Sequence, residues 1–92
     1  MFVWDEKKRE ANLRKHKLDF ANAGLVYDNP AKLTVISTRQ GEERYADIAI
    51  IEVIHAYLTL VYVERGEDIR IISFRNASRG ERKRYSAAGQ PD

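Results

Sequence analysis

Tyr57-Leu58-Thr59-Leu60-Val61-Tyr62-Val63 is the run that decides the fold. Its β-branched, aromatic and leucine side chains leave no polar face, so it reads as a strand buried on both sides, the most buried of its sheet. Downstream, Glu64-Arg65-Gly66-Glu67-Asp68 is a hairpin loop containing glycine, and Ile69 to Arg75 is the return strand. Upstream, Leu33-Thr34-Val35-Ile36 is β-rich, Arg39-Gln40-Gly41-Glu42 is a turn, and Arg44 to Ile51 is a further strand. His55 falls in the loop that follows it. Further out, the period becomes helical. Asp5 caps a helix that runs to about Lys15 and carries only a thin apolar stripe, Ala11 and Leu18 after Trp4. Asp19 caps a second helix to about Tyr27, with Phe20, Ala23 and Tyr27 on one side, and Asp28-Asn29-Pro30 stops it. Ser78-Arg79-Gly80-Glu81 is a capping box opening a helix to about Ala87, and Gly89 to Asp92 is a tail. Helices segregated from a run of strands predict an α+β fold over a single domain, residues 1–92. In it, two N-terminal helices pack on an antiparallel sheet of three to five strands and a short C-terminal helix follows. One sheet face is covered by the two helices and the other is open to a ligand.

Composition narrows the function. No apolar run reaches the roughly 20 residues of a spanning helix, and the N-terminus has neither the basic start nor the apolar block of a signal peptide. The cytoplasm is the expected compartment. The absence of cysteine removes disulfides, thiolate metal sites and thiol nucleophiles. His16 and His55 are too far apart for an HExxH motif, so neither a metal site nor a cofactor is expected. Charge is unevenly placed: residues 1–64 carry nine Lys and Arg against ten Asp and Glu, whereas residues 65–92 carry seven against four. Ten of the sixteen basic residues are arginine, whose planar fork suits bidentate contact with phosphate. A basic patch of this kind suits nucleic acid or an acidic partner, and a merely solvated face is the plainer alternative.

A combination of short segments resembles a known family. Trp4-Asp5, Lys8, Asn12, Lys15-His16, Asp19-Phe20, Ala23 and Val26-Tyr27-Asp28 come first. Gly41-Glu42-Glu43-Arg44-Tyr45 and Leu60-Val61-Tyr62-Val63-Glu64-Arg65 follow. Arg70-Ile71-Ile72-Ser73-Phe74-Arg75-Asn76-Ala77, then Glu81-Arg82 and Tyr85, complete the series. In this order and spacing they resemble the BrnT family, ribonuclease toxins of bacterial type II toxin–antitoxin systems. The resemblance implies a RelE-like α+β fold and metal-independent cleavage of RNA that inhibits translation. It also implies a neutralising BrnA-like ribbon-helix-helix antitoxin, in a heterotetramer that binds operator DNA through the antitoxin. The chain departs from the family where Lys17 replaces a usual glycine, and where Ile51-Glu52-Val53-Ile54-His55-Ala56 has no glycine at all.

Metal-free RNA cleavage needs a proton carrier for the 2′-hydroxyl, cations for the phosphate and help for the departing oxygen. Arg75 is the expected phosphate clamp, where the resemblance puts the family's strand-end arginine; the alternative is a salt bridge to Glu64 or Glu67. In a regular strand Arg75 shares a side with Ser73 and Ile71, while Arg70 points away with Ile72 and Phe74. Arg44 and Arg65 are the candidate second cations. His16 is the candidate proton carrier, with helix capping as its other reading. Tyr85 matches the tyrosine that RelE-type ribonucleases tend to place near the C-terminus, and packing on the sheet is its alternative role. Arg79, Arg82, Lys83 and Arg84 form a helical strip suited to sequence-independent phosphate contact. Trp4 reads as core. A non-catalytic nucleic-acid-binding module or a repressor-complex subunit is the competing function, although no helix-turn-helix, zinc finger or RNP-like aromatic pair is present.

Overall fold

Strands β1 (Phe2–Val3), β2 (Leu33–Arg39), β3 (Glu42–Ile51), β4 (Ala56–Arg65) and β5 (Asp68–Asn76) form one sheet in the order β1-β5-β4-β3-β2. The coordinates are a computed structural model, and residues 1–89 are described; the rest of the tail lies outside them. The 57–63 run occupies the middle strand, where Leu58, Leu60 and Val63 are at most 1% exposed. Gln40 at φ +52° and Gly41 at φ +77° close the β2–β3 hairpin, the positive pair that a twisted two-residue turn demands. The sheet is mixed, which corrects the all-antiparallel expectation: β1 runs parallel to β5, with Phe2 opposite Ile69 and Val3 opposite Arg70. Long-range crossover makes that possible, since two helices and three strands separate the pair in sequence.

One face carries α1 (Glu6–His16) and α2 (Gly24–Tyr27). The Asp5 carboxylate accepts from the amides of Lys7 and Lys8 at 2.9 and 3.1 Å, satisfying two free donors of the first turn. The stripe expected at Ala11 is corrected, because Ala11 is exposed and the buried residue of α1 is Asn12. Its amide nitrogen donates to the carbonyls of Phe74 (2.8 Å) and Leu18 (3.0 Å), and its oxygen accepts from the Phe74 amide (3.2 Å). One side chain thus completes the edge of β5 where the short β1 has ended. Lys17, at φ +61°, closes α1 in the left-handed conformation.

The single helix expected from Asp19 to Tyr27 is instead a 3₁₀ turn, Phe20–Asn22, followed by α2. Asn22 and Gly24 are weak helix formers, and docking of Phe20, Ala23 and Val26 onto the sheet, all fully buried, takes precedence over helical continuity. Trp4 packs edge-on against Phe20, 6.2 Å between centroids, and joins this core with Leu58, Leu60, Ile71 and Phe74.

The opposite face carries α3 (Arg79–Ala87), opened by the complete Ser78/Glu81 capping box. Tyr85 is its anchor: fully buried, edge-on to Tyr57 at 5.9 Å, with its hydroxyl donating to the Ala31 carbonyl at 3.1 Å. A bulge in β5 separates the faces differently from simple alternation. Val61 pairs with Ser73 but Tyr62 pairs with Ile71, leaving Ile72 extra. Ile71 therefore joins Phe74 in the helix-side core. Arg70, opposite Val63, comes to the same face as Ser73 and Arg75, opposite Val61 and Thr59. Both the placing of Ile71 beside Arg75 and the exclusion of Arg70 from its face are corrected by this one extra residue. Among the described residues, no helix is long and apolar enough to cross a membrane.

Candidate active site

Between α3 and the β2–β3 hairpin lies a cleft of about 590 Å³ whose lining includes Ser37, Arg39, Arg44, Ser73, Arg75 and Arg84. Strand geometry puts them there. Ser37 lies opposite Arg44 and Arg39 opposite Glu42, so the side chains of Ser37, Arg39 and Arg44 share the α3 face, with Ser73 and Arg75 arriving from β5. Arg84 enters from the flank of α3. The Nε of Arg44 is buried and has no hydrogen-bond acceptor among the described residues. A buried donor without a partner is costly, which suits a place where an anionic oxygen is to be received.

Arg75 is held by a residue that sequence reasoning missed. Its Nη1 and Nη2 donate to the two carboxylate oxygens of Glu81 at 2.7 and 2.9 Å, with both side chains largely shielded from solvent. Glu81 also accepts from the Thr59 hydroxyl at 3.0 Å and from the Ser78 amide at 2.8 Å. The Arg75 bonds, with those of the Ser78 amide and Thr59, bring its carboxyl to about 2 against the opposition of burial. The expected alternative partners, Glu64 and Glu67, are replaced by the one acid between Arg70 and Arg84. That solitary acid in a basic stretch was the available signal.

The remaining candidates scatter. Asn12 bonds to Phe74, and His16 lies one turn further along the same face of α1, beside the last residues of β5. It does not line the cleft, yet burial, Lys15 and then Arg75 hold its imidazole below the usual pKa, which favours the neutral form at pH 7. Arg65 stands at the hairpin end, outside the cleft lining, paired with Glu42 at 3.3 Å. Tyr85 is core, with its hydroxyl already committed, which places it out of reach of substrate. The basic strip of α3 divides: Arg84 lines the cleft, whereas Arg79, Arg82 and Lys83 line a separate groove on the other flank. Among the described residues, no three His, Asp or Glu side chains group as metal ligands.

This arrangement, arginines around a half-enclosed cleft on an α+β scaffold, can be set against known families. The family described as ribonuclease toxin, BrnT, of type II toxin-antitoxin system, matches residues 4–81. The chain belongs to the BrnT family. No curated protein matches the chain. The BrnT match contains Arg39, Arg44, Arg75 and Glu81 and stops short of Arg82 and Tyr85, the last residues on which the resemblance in sequence was drawn, and of Arg84 in the cleft. Membership makes the chain a toxin-type ribonuclease and implies an RNA substrate and an antitoxin.

Proposed function

We propose that the chain is an endoribonuclease with a RelE-like fold that cleaves RNA in the arginine cleft without a metal ion and thereby inhibits translation. The observation that carries this reading is the convergence of Arg39, Arg44, Arg75 and Arg84 on one cleft, with a buried Arg44 Nε awaiting an acceptor. The chemistry is internal attack. The 2′-hydroxyl loses its proton as the O2′–P bond forms. His16 lies on α1 and lines no part of the cleft, so it accepts that proton only for a phosphate bound at the Arg75 end, where its imidazole senses the Arg75 charge. The P–O5′ bond then breaks, the 5′-oxygen takes up a proton from water, and a 2′,3′-cyclic phosphate or its 3′-phosphate hydrolysis product remains. Arg44 and Arg75 stabilise the charge on the non-bridging oxygens. Glu81 occupies one edge of the Arg75 guanidinium and leaves its Nε edge for phosphate, so the cation is positioned before substrate arrives.

A BrnA-like ribbon-helix-helix antitoxin, in a heterotetramer that binds operator DNA through that partner, would silence the chain by covering the basic face. The test is cleavage of RNA by the purified chain in excess EDTA. Arg75→Ala and Arg44→Ala should each lower the rate by about 10²–10³. Arg75→Lys should recover only part, since an ammonium lacks the fork. Abolition by EDTA overturns the metal-free chemistry, and full rates in both alanine variants overturn the cleft. RNA binding without cleavage would favour the non-catalytic module.

A further inference from the structure

The far flank of α3 holds a second basic hollow that the cleavage chemistry leaves unused. Arg79, Arg82 and Lys83 line it together with Tyr57 and Ser86, and it adjoins a smaller hollow containing His55 and Asn76. No carboxylate lines either one. Among the described residues, none of the three cations has an ion-pair partner, because Glu81, the one nearby acid, is turned under α3 and spent on Arg75. The hollow is therefore cationic without compensation. It also has an aromatic floor: the Arg82 guanidinium lies over the Tyr57 ring, 4.6 Å from its centroid, while the Tyr57 ring is itself braced edge-on by buried Tyr85.

We propose that this flank is a second single-stranded RNA subsite, in which an unstacked base lies on the Arg82 plane while Arg79 and Lys83 hold flanking phosphates. It rests on the ribonuclease reading and extends it to nucleotides outside the cleft. Cation–π contact with Tyr57 fixes the tilt of the guanidinium before any ligand arrives, and a guanidinium plane is a stacking surface for bases. An acidic protein segment would need only the charges and would gain nothing from the oriented face. RNA uses both.

The test is binding of 2′-O-methyl RNA, which lacks the attacking hydroxyl, as a labelled trinucleotide and a labelled dodecanucleotide across a salt series. Arg82→Lys keeps the charge and removes the plane. It should weaken the dodecanucleotide about tenfold, the lower range of one lost base stack, with its salt slope unchanged. Arg79→Glu with Lys83→Glu should flatten that slope by about 1.4 through two lost phosphate contacts. The trinucleotide, seated in the arginine cleft, should bind all variants alike. These residues are exposed at the surface, so a matched thermal melt suffices to show that the variants fold. Unchanged dodecanucleotide affinity in both variants overturns this subsite alone. Lost affinity for the antitoxin with RNA binding intact also overturns it, by making the flank a protein interface. Failure of the wild-type chain to bind either RNA overturns the ribonuclease reading beneath it.

Discussion

Four donors converge on the Glu81 carboxylate: both terminal nitrogens of Arg75, the Thr59 hydroxyl and the Ser78 amide. They hold its folded-state pKa at about 2, below the 4.5 of an unperturbed glutamate. A depressed carboxyl contributes stability above its unfolded value and loses that contribution as pH falls from there through the folded value. Wild-type protein should therefore surrender about 2 kcal/mol, after allowance for screening, between pH 5 and pH 2 that Glu81→Gln never had. Urea unfolding across that range measures the difference; parallel curves would mean that the pair contributes nothing. Asp19, also held at about 2 by Arg9, titrates in both proteins and cancels from the comparison. His16 carries the opposite chemistry. Burial, Lys15 and Arg75 depress its imidazole, so the acid limb of kcat/KM for RNA should lie below pH 6.5 and move upward in Arg75→Lys only if the charge is displaced. A limb that persists in His16→Ala would assign the proton to another group.

Elements meet through single side chains whose roles differ in how plainly sequence announces them. Asn12 sits where an apolar helix face is expected, and its amide substitutes for a strand by pairing both polar groups of Phe74. Asn12→Ala strands a buried N–H and C=O and should cost about 2–3 kcal/mol in denaturant unfolding, far above the average for a surface helix residue. Lys17 closes α1 at φ +61°. Lys17→Gly relieves that strain and should raise stability by about 0.5–1 kcal/mol, read as a higher denaturation midpoint at equal slope. The Asp5 cap, the Ser78/Glu81 box and the central 57–63 strand were legible because each depends on neighbours in sequence. The parallel pairing of β1 depends on residues 67 positions apart, and no local pattern encodes it. The cleft was half legible. Arg75 and Arg44 stood out as cations on strands, but alternation failed at Ile72, where one bulged residue carries Arg70 to the Arg75 face. Arg39 went unnoticed at the end of a hairpin strand, and Glu81 was seen only as a cap.

The molecule is a sheet with two unlike coats: α1 and α2 with the apolar core on one side, and α3 with the arginine cleft on the other. Both coats lean on β4, through Leu58 and Leu60 on one face and Tyr57 and Thr59 on the other. They should accordingly melt as one unit, with the amide-exchange protection of α1 and that of α3 lost at the same denaturant midpoint. Two separate midpoints would show that α3 unfolds by itself. Trp4 is the single tryptophan in the chain, and it lies against Phe20 under the first coat. Excitation at the red edge of protein absorption thus illuminates one face and leaves the other dark. A ligand that quenches this emission by contact has touched the α1 side, whereas one settling among the arginines leaves it bright, so the unaltered chain carries its own optical label for which surface has been occupied.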